Sequence, residues 1–207
     1  MEKALILSGG WEGHQPVEVG EILAELLRKE GFAVEHATEQ EVLADQEKVR
    51  QLDLIIPNWS MGTMKPEWMG HLLEAVRSGV GVAGLHGGMG DAFRNDREYQ
   101  FMVGGQFVAH PGNDGVTYPV IIENRDHPIM QGIGDFTITS EQYYMHVDPA
   151  IQVLATTRFG DVVMPVVWTK KYGEGKVFYC SLGHDVDIVN LPVVRTIMAR
   201  GMIWAAR

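Results

Sequence analysis

Short apolar runs alternate with amphipathic stretches through the first half of this chain, and that alternation leaves few folds open to it. Ala4–Leu7 reads as a buried strand that stops at Ser8-Gly9-Gly10. Pro16 stands where a first helical residue belongs, and Ile22, Leu23, Leu26 and Leu27 form a helical stripe that Gly31 closes. Phe32–Val34 predicts a second strand. Thr38 and Glu41, at capping-box spacing, predict a helix running through Val49. Leu54–Pro57 is a third strand. Pro66 opens a helix with Trp68, Met69, Leu72, Leu73 and Val76 inward, and Val80–Leu85 is a fourth strand that runs into His86-Gly87-Gly88. Such alternation predicts a parallel sheet covered on both faces, with right-handed crossovers.

The second half is less regular. Val116–Ile122 and Ile151–Thr156 read as strands, the first assigned to a sheet edge by Pro119. Val166–Lys170 and Lys176–Ser181 flank Tyr172-Gly173-Glu174-Gly175, a hairpin signal. Gly104–Gly112 shows neither helical nor strand period and reads as a loop. Pro192–Ala206 predicts a final helix with Val193, Val194, Ile197, Met198 and Met202 inward. Without a linker, repeat or low-complexity run, the 207 residues are expected to form one domain, an α/β sandwich with added β structure.

Charge narrows the partners. The chain carries 17 Lys and Arg against 27 Asp and Glu, a net charge of −10. A negative chain without a basic cluster repels phosphate backbones and anionic lipid, so neither nucleic acid nor a membrane surface is expected. The one cysteine, Cys180, excludes an intramolecular disulfide and a multi-cysteine zinc site. It lies within a strand and is expected to point into the core. The N-terminal apolar stretch is too short for a signal segment, and the cytoplasm is the expected compartment.

In an open parallel sheet, ligands bind beyond the carboxyl ends of the strands. Those ends carry Trp11 and His14 after the first strand, Asn58 and Trp59 after the third, His86, Gly87 and Gly88 after the fourth, and His184 with Asp185 after Lys176–Ser181. The Gly84–Gly88 turn holds a histidine as a nucleophile elbow holds its serine. The N–H groups of Gly87 and Gly88 are expected to polarise a carbonyl or bind a hydroxyl. Gln106 and His110 lie in the Gly104–Gly112 segment, and the bond to Pro111 favours an extended, projecting His110. Ser140–His146 combines Glu141, Tyr143 and His146. Glu141 is expected to act as a base or to orient a histidine, and Asp185 to cap a helix. His36, His71 and His127 read as incidental.

Taken in order, Gly84–Gly88, Val103–Phe107 with His110-Pro111, Ser140–Tyr144 and Gly175–Tyr179 running into Leu182-Gly183-His184 resemble the ThuA-like (trehalose utilisation) family over nearly the whole chain. The resemblance implies the fold of class I glutamine amidotransferases: a flavodoxin-like three-layer sandwich with a mainly parallel central sheet, here with extra β-hairpin structure. His86 stands where that larger group has its nucleophilic cysteine, so glutamine hydrolysis through a thioester is not expected. The resemblance also implies carbohydrate metabolism beside sugar dehydrogenases that produce 3-keto-disaccharides.

Three functions follow as expectations. The first is an enzyme acting on a disaccharide of the trehalose or sucrose type, or on its 3-keto derivative. His86 and His184 would form its proton-transfer pair, each titrating near neutrality, with Glu141 as base or orienter. Substrate would meet Trp11, His14, Asn58, Trp59, Gly87, Gly88, Gln106, His110, Tyr143 and His146. The second is a metal-dependent hydrolase that holds a divalent ion such as zinc on a subset of His86, His110, His146 and His184, although no local ligand spacing singles it out. The third is a sugar-binding or regulatory protein without turnover. A homo-oligomer is expected from apolar surface in the second half.

Overall fold

In the computed structural model, which describes residues 1–207, β1 (Lys3–Gly10) is flanked on both sides by parallel partners. Leu5 and Leu7 face one layer of the core and Ala4 and Ile6 the other, the period-two alternation of a strand covered on both faces. α1 (Pro16–Lys29) follows, with Pro16 opening it as expected, then β2 (Ala33–Ala37) and a 3-10 turn at Gln40–Leu43. α2 is only Gln46–Arg50. The single helix expected from Thr38 to Val49 is therefore broken. Asp45 is extended there, and its carboxylate accepts from Lys48 N at 3.1 Å, which caps a new helix and ends the old turn.

The order continues with β3 (Leu54–Ser60), α3 (Pro66–Arg77), β4 (Gly81–Leu85), α4 (His86–Gly90), α5 (Arg97–Val103) and β5 (Gly105–Ala109). Then come β6 (Val116–Ile122), β7 (Phe136–Ser140), β8 (Tyr144–Val147), β9 (Gln152–Phe159), β10 (Val162–Tyr172), β11 (Gly175–Cys180), α6 (Val186–Val189) and α7 (Pro192–Ala205). The main sheet has nine strands in the order β2-β1-β3-β4-β11-β10-β9-β6-β7. The first five are parallel, and the rest extend the sheet antiparallel. The flavodoxin-like three-layer sandwich is thus present, with the hairpin of β10 and β11 joining its parallel half to the added strands. Helices α1 and α7 pack on one face and α2, α3 and α5 on the other. No helix is long and apolar enough to cross a membrane.

Two further expectations are corrected. β6 is not the outermost strand, because β7 lies beyond it. Pro119 is accommodated because β9 pairs only with Ile121 and Ile122, so the stretch around Pro119 bonds β7 alone and the missing N–H costs no ladder bond. The Gly104–Gly112 segment is not all loop. β5 pairs antiparallel with β8 in a separate two-stranded sheet, with Gln106 opposite His146 and Phe107 opposite Met145. Phe101, Val108 and Val147 remain exposed on that side.

The packing of α7 on β11 gives a test of the core. A Cβ at Gly201 would fall 2.2 Å from the ring of Phe178, which is fully buried. Gly201→Val should therefore destabilise the fold by about 1–3 kcal/mol through overpacking, read as a lower denaturation midpoint with an unchanged slope.

Candidate active site

All five parallel strands end at one rim of the sheet, and residues following β1, β3, β4 and β11 contribute to the site. β4 ends at Leu85 in extended conformation, and His86 then turns with φ of +44°. A non-glycine residue in the left-handed region costs about 1–3 kcal/mol, so the surrounding packing holds this ring where it is. Gly84 lets the turn fold back against Met89, and Gly88 lets it lie on the backbone of Asn58. His86 is 1% exposed. Its Nδ1 donates to the Ser181 carbonyl at 2.8 Å, its Nε2 lies 3.0 Å from Glu141 Oε2, and Tyr143 stacks on it at 4.0 Å between ring centroids.

Glu141 follows β7, is itself buried, and stands at the centre of the constellation. His184, carried past β11 by Gly183, brings its Nδ1 to 3.4 Å from Glu141 Oε2. That nitrogen is buried and makes no hydrogen bond, so the approach is electrostatic and not an aligned donor–acceptor pair. His110 places Nδ1 3.7 Å from the other carboxylate oxygen, Oε1, again without a hydrogen bond. His14 sits on the 3-10 turn after β1, its Nδ1 2.6 Å from Ser60 Oγ. Its ring lies edge-on to those of His86 and His184, at 4.8 and 5.3 Å. One ligating atom from each of His14, His86, Glu141 and His184 lies within 4.8 Å of the others.

Electrostatics separates these groups. Burial pushes the Glu141 carboxyl up, but the His184 and His86 imidazoles beside it outweigh burial and hold it well below the usual carboxylate range. Burial lowers His86 despite the opposing pull of Glu141, and burial with the neighbouring imidazoles brings His14 down to about 3. Glu141 raises His184. The two members of the expected proton-transfer pair are thus shifted in opposite directions, His86 down by enclosure and His184 up by the carboxylate beside it.

Above the cluster opens a cavity of about 450 Å³, within the range of small-molecule sites. Trp11 forms one wall, 48% exposed, with its ring lying over Gly13. Phe107, Tyr143 and His110 form another, and Asn113 and Asp114 the lip. Asp91 grips Arg94 through two bonds of 2.5 and 2.7 Å, which fixes the guanidinium plane at the cavity wall and leaves Nη1 for a ligand.

The structure thus gathers Trp11, His14, His86, His110, Glu141, Tyr143 and His184. Asn58 and Trp59 do not reach the cavity. The Asn58 amide is buried and donates to Ser8 Oγ and the Pro16 carbonyl, and the Trp59 ring packs over Gly9. Gly87 and Gly88 are buried and do not line the cavity, and His14, Tyr143 and Asn58 fill the space where their side chains would stand. Gln106 and His146 line a different cleft of about 510 Å³ with Phe101 and Val147. That cleft is larger but brings no ligating cluster together, and His146 is therefore removed from the candidate metal ligands. The residues missed from sequence are Asp91, Arg94, Phe107, Asn113 and Asp114. The Asp91–Arg94 spacing just after the His86 elbow was the available signal.

The remaining histidines behave as expected. His36 bonds Ser8 Oγ, His71 the Leu43 carbonyl, and His127 accepts from Ile129 N within its turn. Asp185 caps α6 through Ile188 N at 2.9 Å. Cys180 is fully buried, and burial pushes its thiol up to about 12, which leaves it unreactive.

The sequence pattern of the ThuA family, described as trehalose utilisation, matches residues 3–205. No curated protein matches the chain. Among solved structures, a ThuA-like protein from Parabacteroides merdae superposes with a TM-score of 0.78 at 19% identity, covering 99% of this chain and 89% of that one. A cytoplasmic protein from Salmonella typhimurium LT2 gives 0.76 at 14% identity over 100% of both chains. A β-galactosidase from Bacillus circulans sp. alkalophilus gives 0.59 at 15% identity, with 99% of this chain matching 30% of that enzyme. At these identities the likeness speaks to fold alone.

Proposed function

The chain belongs to the ThuA (trehalose utilisation) family and so to carbohydrate metabolism, and from that premise we propose that it is an enzyme that takes a disaccharide or its 3-keto derivative into the Trp11–Arg94 cavity and moves a proton there. One observation carries this reading: Glu141 and the imidazoles of His14, His110 and His184 line, with His86 enclosed behind them, a cavity whose walls offer an exposed indole and a fixed guanidinium. An indole face suits the apolar side of a pyranose ring. The guanidinium and the carboxylate of Asp114 suit its hydroxyl groups.

A ketone acidifies the C–H bond beside it. Removal of the proton between the ketone and the glycosidic carbon lets the electron pair form a C=C bond as the glycosidic C–O bond breaks. A proton returned to the departing oxygen completes the balance. The His110 side chain is 33% exposed, more open than that of His86 or His184, and faces Glu141 Oε1 at 3.7 Å, which suits it to take the first proton. His86, enclosed beneath Tyr143, positions Glu141 from below and is too enclosed to reach substrate. A dehydrogenase that oxidises the sugar hydroxyl would supply the ketone.

The reading is tested by incubating the protein with trehalose, sucrose and their 3-keto forms and following products by mass spectrometry. Turnover of a keto-sugar is expected. Saturable binding with no product for any of them would establish a sugar-binding protein instead. Trp11→Ala should raise KM about tenfold while kcat changes little, since the indole contacts the ring equally in ground and transition states.

A further inference from the structure

We propose that His14, His86, Glu141 and His184 hold a single divalent transition-metal ion of the zinc class. The argument begins with the two nitrogens of His86. A carbonyl can only accept, so the bond to Ser181 O fixes the proton on Nδ1. A neutral ring then turns the lone pair of Nε2 toward Glu141 Oε2 at 3.0 Å, and two acceptors face each other inside the protein. A cation between them relieves this, and a ring N–H given to a backbone carbonyl is the arrangement that holds metal-bound histidines.

The other donors repeat the pattern. Ser60 Oγ occupies His14 Nδ1 and leaves Nε2 for the cluster. His184 Nδ1 is buried, faces Glu141 Oε2 and has no hydrogen-bond partner. Bonds of about 2.0–2.1 Å place neighbouring ligand atoms of a tetrahedral ion roughly 3.3 Å apart. The separations of 3.0 and 3.4 Å around Glu141 Oε2 match this spacing. The widest separation in the set, 4.8 Å, has to close by about 1.5 Å to complete the shell. Three imidazoles and one carboxylate suit a borderline transition ion better than magnesium or calcium, which take oxygen. Glu141 Oε1 stays beside His110, so the ion and the proton-moving pair use opposite oxygens of one carboxylate. The site lies under the proposed sugar cavity, and the inference deepens that reading, because an ion that expands from four ligands to five there would offer the substrate carbonyl a Lewis acid.

The test reads metal binding directly. Protein purified without a histidine tag and stripped with chelator is titrated with Zn2+ alone by calorimetry, and with Co2+ alone by visible absorption. One equivalent of Zn2+ per chain and a Co2+ ligand-field band are expected. Ser60→Ala, which frees His14 Nδ1, should weaken binding about tenfold. His14→Gln and Glu141→Gln should weaken it further, and His146→Gln, in the other cleft, should bind as the unmodified protein does. Absent stoichiometric binding, or equal binding by His14→Gln and Glu141→Gln, overturns the ion and leaves an imidazolium–carboxylate pair in its place. Full keto-sugar turnover by the chelated protein overturns the Lewis-acid role of the ion while sparing the proposed function. One tightly bound equivalent in a protein that turns over no sugar supports the ion and sinks the function.

Discussion

Replacing Glu141 with glutamine is expected to reduce turnover by a factor of about 10²–10⁴, the usual contribution of a positioned proton-transfer group, while the fold stays intact. The carboxylate is the one group that touches every part of the machinery, with one oxygen toward His86 and His184 and the other toward His110. Glutamine keeps the length and shape but loses the charge, and its amide presents hydrogens where the imidazoles meet an acceptor. The backbone at this position is held independently, because its carbonyl accepts from Tyr118 Oη at 2.9 Å. The circular dichroism spectrum and the sugar dissociation constant should therefore stay close to those of the unmodified protein. The loss should fall on kcat. A variant that turns over keto-sugar within tenfold of the unmodified protein would remove Glu141 from the reaction.

The parallel half of the fold was legible because its rules are local. A short apolar run between turn residues marks a buried strand, and the carboxyl ends of such strands share one rim. His14, His86 and His184 were found in this way. The same reasoning overreached at Asn58 and Trp59. The end of β3 meets Ser8 and Gly9 of β1 in register, and their side chains fill that contact instead of facing the cavity.

The added strands were less legible because their pairings are long-range. β5 meets β8 across about forty residues of sequence, and no local pattern sets that register. Once Gly105–Ala109 is a strand, alternate residues face opposite ways. Phe107 then turns to the cavity, and Gln106 and His146 turn to the outer cleft. Reading the segment as a loop forfeited that distinction. The role of Glu141 was inferred from its chemical company in the sequence. Its placement 55 residues from His86 and against it in space could come only from the tertiary fold.

Gly87→Ala is expected to lower kcat/KM about 100-fold while costing little stability. Gly87 adopts an ordinary helical backbone, so alanine brings no conformational strain, and the effect is steric. Its Cβ would lie 2.5 Å from Cε1 and 2.9 Å from Nδ1 of His14, and 3.1 Å from Tyr143 Oη. Tyr143 is buried and stacked on His86, so it cannot give way. His14 rides on a three-residue turn beside the half-exposed Trp11 and is the side that moves. His14 lines the cavity against His86 and His184, and a misplacement of about 1 Å in the groups that position a reaction costs on the order of 10²-fold in rate, whereas a shift of a surface turn should cost about 1 kcal/mol, a few degrees in Tm. Adding His14→Ala to Gly87→Ala removes the clash and should recover the Tm without recovering the rate. A single Gly87→Ala variant with unchanged kcat/KM would mean that the His14 imidazole has no part in the geometry at which substrate reacts.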